Sequence, residues 1–198
     1  MTKGLVRELR VRWMLEELGL PYEEIRYPHP ETKKEPYKEQ QPFGQVPYFT
    51  EDNLSMFETG AILLHLAEKH KKLLPTDETE RAYVYTWLFA ALNSVEPYMF
   101  HYFLLKIDPD SPESIKSKAK EIIDGRLVAL SKELGEREFF GKSFSITDIV
   151  MTTVLKTAGF LGTMDQYGNL ASYVKRNESR PAFKRALSAH EKLYEVKA

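Results

Sequence analysis

A chain of 198 residues, 42% of them hydrophobic, can bury a sizeable core as one large domain or two small ones. Its 28 Lys and Arg stand against 29 Asp and Glu, a near balance that argues against nucleic acid or an anionic membrane as the main partner. There is no cysteine, which excludes disulfides, protein thiolate nucleophiles and cysteine metal sites. No apolar run approaches the roughly 20 residues of a membrane span, and residues 1–20 are charged and amphipathic rather than a signal peptide. A cytoplasmic protein without a membrane partner is expected.

Residues 7–18 predict an amphipathic helix, with Leu9, Trp13 or Met14, and Leu18 on one face and Val11 and Leu15 flanking it. Gly19 and then Pro21 mark its end. Residues 22–27 alternate weakly and read as a strand, closed by Pro28 and Pro30. Residues 31–40 are polar and interrupted by proline, a loop with at most a short helix. Gly44 permits a tight turn, Val46-Pro47 opens a short apolar strand, and Glu51-Asp52-Asn53 turns the chain into a second strand over 54–57. A helix follows from Glu58 to Lys71, with Ala61, Ile62, Leu64 and Leu66 as its buried side.

The character changes at residues 73–79, Leu-Leu-Pro-Thr-Asp-Glu-Thr, which suit a link between domains. The expected division is 1–72, a linker over 73–79, and an all-helical 80–198. Residues 80–106 predict one long aromatic helix kinked at Pro97. Ser111-Pro112-Glu113 has the order of cap, first-turn proline and acid that a helix start favours. Ile115, Ala119, Ile122, Ile123, Leu127, Leu130 and Leu134 then recur at helical spacing. Ser145-Ile-Thr-Asp148 predicts a capping box that starts a buried helix, with Asp148 as its cap and Phe144 stapling onto Ile149. Helices over 167–176 and 181–194 complete the second half. His29, His65, His70 and His190 lack metal-like spacing and read as structural or solvated, so no metal is expected.

Four separated segments carry a family resemblance. They are Leu-Arg-Val-Arg-Trp-Met-Leu-Glu-Glu-Leu-Gly-Leu-Pro-Tyr-Glu over 9–23, Gly-Gln-Val-Pro over 44–47 with Glu58-Thr59 beyond it, Ser-Ile-Thr-Asp-Ile over 145–149, and Arg-Pro-Ala-Phe-Lys-Arg-Ala-Leu over 180–187. In this order they resemble the glutathione transferases, as a bacterial-type member with a shortened N-terminus. The resemblance implies an α/β domain of thioredoxin-like fold, its first strand shortened or missing, followed by an all-α domain. It implies glutathione as co-substrate, a small electrophile as second substrate, glutathione-dependent conjugation or reduction, and a homodimer. The aromatic stretch 87–103, apolar over more than one helical face, also suits a partner helix.

Residue by residue, the resemblance implies a cis bond before Pro47, turning the Val46 N–H and C=O toward the cysteinyl backbone of glutathione. An ordinary trans proline at an edge strand is the alternative. Thr59 would hold the γ-glutamyl carboxylate and Glu58 the ammonium, although acids and hydroxyls are favoured at any helix start. Gln45 would reach the glycyl end, or be solvated. Tyr98, His101 and Tyr102 would border the electrophile, or belong to a core or dimer contact. The thiol of glutathione is activated in the family by a Tyr, Ser or Cys just ahead of the first helix. Residues 1–6 contain none, and Thr2 is no better than a distant substitute, so the catalytic donor is not identified, and a fold retained as a binding or regulatory module is the competing reading. Arg7 and Arg10 could bind an anion, but read as a solvated helix face.

Overall fold

The computed structural model describes residues 7–195, with side chains over 7–189. The described residues form two compact units, one within residues 7–72 together with 181–195, the other of residues 73–180.

In the first unit, helix α1 (Glu8–Leu18) buries Leu9, Val11, Trp13, Met14, Leu15 and Leu18. Gly19, at φ 70° and ψ 30°, takes the left-handed conformation that closes the helix and needs no Cβ. Arg10 and Arg12 are buried as well, so the expectation of a solvated arginine face fails for Arg10, which is 3% exposed. Arg12 is held by the Glu24 carboxylate, with Nη2 3.0 Å from Oε2. Residues 20–28 form no regular element, and they find no ladder partner among the described residues. Their weak alternation serves side-chain contacts instead: Tyr22 donates to Glu16, Glu24 pairs with Arg12, and the Tyr27 ring meets Tyr37 edge-on at 4.8 Å.

A short 3-10 turn (Glu31–Lys33) and helix α2 (Tyr37–Gln40) follow. Strands β1 (Tyr48–Glu51) and β2 (Leu54–Phe57) pair antiparallel, with Tyr48 opposite Phe57 and Glu51 opposite Leu54. Asp52 and Asn53 make the turn, with Asp52 at φ 50°. Helix α3 (Thr59–His70) buries Ile62, Leu63, Leu66 and Ala67. The apolar stripe is thus rotated from the expected one, with Ala61 exposed and Leu64 half-buried. A run of six apolar or small residues supports more than one 3.6-residue stripe, and packing on α1 selects between them. Helix α9 (Pro181–Glu195) belongs to the same unit and lies on α1, with Phe183 edge-on to Trp13 at 4.8 Å and Arg185 Nε 2.7 Å from Glu16 Oε2.

The second unit is helical throughout its described elements. Helix α4 (Glu78–Phe89) is capped by Asp77, which accepts from the Glu80 N–H at 2.9 Å. A π-helical segment (Ala90–Val95) leads into α5 (Glu96–Ile107). The irregularity falls in the turn before Pro97, as the missing proline N–H requires. Helix α6 (Glu113–Leu134) buries Ala119, Ile123, Leu127, Leu130 and Leu134, while Ile115 and Ile122 are exposed. Its N-cap is Pro112. Ser111 lies one position outside the cap, and its hydroxyl donates to Asp108 Oδ2 at 2.6 Å.

Helices α7 (Ile146–Phe160) and α8 (Gly168–Glu178) hold the unit's polar core. Ser145 is the N-cap of α7, and the Asp148 carboxylate reaches back to the Ser145 N–H at 2.9 Å. The same carboxylate accepts from the Ser145 hydroxyl, the Phe140 N–H at 3.1 Å and the Tyr173 hydroxyl at 2.8 Å. Burial pushes the Asp148 carboxyl above its ordinary range, and these four bonds pull it back. Burial also raises the Tyr173 hydroxyl well above its ordinary value, with the neighbouring carboxylate adding to the shift. Phe144 meets Phe139 edge-on at 5.8 Å, with the Arg180 guanidinium 3.7 Å from its ring centroid.

Removing the Asp148 carboxylate orphans four buried donors at once. Asp148→Ala is therefore expected to cost about 3–5 kcal/mol, well above the ~0.5–2 kcal/mol of an exposed cap. Tyr173→Phe, which deletes one bond, should cost about 1 kcal/mol. Equilibrium denaturation in urea measures both. A loss below 2 kcal/mol for Asp148→Ala would show that the network relaxes around the gap.

Candidate functional site

The β1–β2 register sets the site. Because Tyr48 faces Phe57, the residues just outside that pair are Pro47 on one strand and Glu58 on the other. Neighbouring strands run about 4.8 Å apart, so Val46-Pro47 and Glu58-Thr59 share the open end of the hairpin. The Val46–Pro47 bond is cis, as the resemblance implies, and a second cis bond, Glu35–Pro36, was not anticipated.

The turn ahead of Val46 is held from the side. Lys33 Nζ donates to the Gly44 carbonyl at 2.6 Å. Gln41, buried, accepts from the Gln45 N–H at 3.1 Å, and Tyr37, also buried, donates to the Gln45 carbonyl at 2.6 Å. Gly44 sits at φ 60°, and a Cβ there would lie 2.6 Å from the Thr32 carbonyl oxygen, so glycine is required. Burial, with Tyr48, Tyr27 and Glu8 nearby, pushes the Tyr37 hydroxyl up to about 12, which keeps it a neutral donor. Both peptide groups of Gln45 are thus occupied by side chains. Among the described residues, the N–H and C=O of Val46 have no hydrogen-bond partner, and Val46 is 36% exposed. The Gln45 side chain is exposed too. Sequence reading missed the roles of Tyr37, Gln41 and Lys33. A Lys, a Tyr and a Gln in a polar loop are ordinary surface residues until the chain folds them onto the turn.

At the other strand end, Glu58 is exposed and has φ 68° and ψ 111°, a conformation that glycine enters easily and a β-carbon resists. Its carbonyl accepts from the Ile62 N–H at 3.0 Å and so begins α3. Thr59 is the first residue of that helix, 4% exposed, and its hydroxyl accepts from Arg10 Nη1 at 3.3 Å. The first-turn N–H groups have no partner within the helix, and the helix dipole adds positive potential there. An exposed peptide edge facing an amide-rich helix start can pair with an extended peptide and hold a carboxylate beside it.

The remaining candidates lie on α5. Tyr98 is partly exposed, with the Arg126 guanidinium 3.5 Å from its ring centroid. His101 is exposed, and Tyr102 is buried with Lys106 Nζ 5.8 Å from its ring. These three therefore do not share one environment. Among the described residues, no group of three or more His, Cys, Asp or Glu side chains could hold a metal ion, and no helix is long and apolar enough to cross a membrane.

Comparison with known proteins places this geometry. Residues 4–68 match the family "Glutathione S-transferase, N-terminal domain". An uncharacterised GST-like protein of Streptococcus mutans is 29% identical over 68% of this chain and 55% of its own length. The disulfide-bond oxidoreductase YghU of Escherichia coli is 30% identical over 67% of this chain and 49% of its own. The chain thus spans about half the length of these two relatives. A glutathione transferase of Burkholderia graminis, solved with two glutathione molecules bound per subunit, superposes with a TM-score of 0.83 at 26% identity, covering 91% of this chain and 83% of that one. The fold is that of glutathione transferases: a thioredoxin-like N-terminal domain, with a two-stranded sheet among the described residues, followed by a helical domain; the expected shortened first strand lies outside the described residues.

Glu58→Gly removes the side chain from a backbone that disfavours it. This variant should be at least as stable as the parent in thermal unfolding, whereas an ordinary exposed residue replaced by glycine loses stability. A fall of more than about 1 kcal/mol would show that the Glu58 side chain stabilises the turn by contacts that outweigh the strain.

Proposed function

The chain belongs to the glutathione transferase family, and from that premise we propose that it binds glutathione and uses it to conjugate or reduce small electrophiles. The observation that carries the reading is the open end of the hairpin, where the unpaired Val46 peptide edge lies beside Glu58, Thr59 and the start of α3. In this reading the Val46 N–H and C=O pair with the cysteinyl backbone. Thr59 and the α3 N–H groups hold the γ-glutamyl carboxylate, Glu58 faces the ammonium, and Gln45 reaches the glycyl end.

The division of roles follows from charge. A carboxylate is favoured at a helix start, and an ammonium beside an acid. Tyr98 and His101 are the exposed members of the group proposed for the electrophile, and Tyr102, on the same helix, is buried. A homodimer is proposed with it. Phe100 and Leu104 on α5, and Phe89 on α4, are large apolar side chains left exposed, and a second copy of the chain is the proposed cover.

A second reading has its own support. Residues 3–7 supply no Tyr, Ser or Cys just ahead of α1, which favours a glutathione-binding protein of weak or absent turnover. The two readings share the glutathione site and part at the thiol. A thiol without a donor keeps a pKa near the reference value of about 8.5, so only a few per cent is thiolate at neutral pH.

Titration calorimetry with glutathione is expected to show binding. Thr59→Val and Glu58→Ala should each weaken it by roughly tenfold, the loss of one charge-assisted bond. Absence of binding by the parent protein would refute the reading. Turnover of an aryl halide is expected to be slow and to rise with pH through about 8.5. A high rate already level below pH 7 would reveal a group that lowers the thiol pKa.

A further inference from the structure

Arg10 has no place in the reading so far. It lies on α1, is 3% exposed, and α1 packs against α3. Its Nη1 lies 3.3 Å from Thr59 Oγ1, and both groups are buried. A guanidinium has donors and no acceptor, so in this bond the threonine oxygen must accept. A hydroxyl has a single hydrogen. With its oxygen engaged by Arg10, that hydrogen is left to donate to a different group. The first-turn N–H groups of α3 are donors and cannot receive it, so an incoming acceptor completes the arrangement.

We propose that Arg10 is a positioning residue for an incoming carboxylate: by donating to the Thr59 oxygen it turns the Thr59 hydroxyl into a committed donor at the start of α3. This rests on the reading that the γ-glutamyl end of glutathione docks there. Its consequence is specificity. Affinity gained through Arg10 depends on the α-carboxylate of the ligand and on no other part of the tripeptide. A guanidinium that merely ties α1 to α3 would act on every ligand alike.

The test is a cycle between protein and ligand. Dissociation constants are measured for glutathione and for 4-aminobutanoyl-cysteinyl-glycine, the same tripeptide without its α-carboxylate, on the parent and on Arg10→Met. The expected result is about tenfold weaker binding of glutathione, and less than about twofold change for the truncated peptide. Where Arg10→Met does not fold, Arg10→Gln, which keeps a neutral donor, is compared in the same way. Equal losses for the two ligands, or no loss for either, would make Arg10 a structural strut and overturn the proposal. Failure of the parent protein to bind glutathione at millimolar concentration would instead remove the reading beneath it, and the two failures are told apart by the parent alone.

Discussion

The pairing of Tyr48 with Phe57 is the constraint on which the candidate site depends. A strand's side chains alternate with a period of two, so slipping this hairpin by one residue would exchange its faces and move Pro47 away from Glu58. Four residue pairs are a short ladder, and an isolated two-stranded hairpin is marginal in water. The register is held from outside the ladder. Tyr48 packs edge-on to Tyr37 at 5.3 Å, Phe57 packs edge-on to Phe43 at 6.0 Å, and Ser55 donates to Gln40. At the turn end, Glu51 is bound by His65 and Lys69 of α3, whose bonds hold its carboxyl below the usual range. Side chains of α2 and α3 therefore fix the strands, and the strands fix the peptide edge.

The same logic orders the turn before Val46. A backbone edge is useful to a ligand when it is rigid and unpaired, two demands that oppose each other, since rigidity in a loop comes from hydrogen bonds. Here the bonds fall on the neighbours. Gly44 and Gln45 give their peptide groups to Lys33, Gln41 and Tyr37, while those of Val46 remain open among the described residues. Strain at Glu58 has a comparable place. A residue in a disfavoured conformation persists where its surroundings over-determine it, and here β2 ends on one side of it and α3 begins on the other.

What the sequence made legible was local. The hairpin between Val46 and Phe57, the left-handed stop at Gly19 and the Ser145–Asp148 start of α7 all depend on residues a few positions apart, where turn and cap chemistry is decided. Misreadings came where a distant partner decides. Arg10 looks solvated until α3 covers it, and residues 22–27 alternate like a strand although their partners are the side chains of Glu16, Arg12 and Tyr37. Ser111 offered a cap, but the helix begins one residue later, with Pro112 in the cap position. The grouping of α9 with residues 1–72 has no local signature either. It comes from Phe183 meeting Trp13, 170 positions apart in the chain.

Grip and chemistry come from different parts of such a fold, and this chain separates them. In the proposed reading the grip is built by a hairpin, a helix start and the side chains behind them, all fixed by packing that the fold needs in any case. Activation of a thiol requires something narrower, a donor at one place with its proton or charge directed at sulfur. The fold alone does not supply it, because one architecture hosts many chemistries and some members of a fold keep only its binding half. Family membership therefore carries the fold and favours the grip, whereas the reaction turns on the electrostatics at a single sulfur atom. In the proposed arrangement, a buried arginine that commits the Thr59 hydroxyl to donate strengthens the hold on the far end of the tripeptide and leaves that sulfur unchanged. Binding and turnover are then free to vary independently, and a substitution that alters one without the other locates the boundary between them.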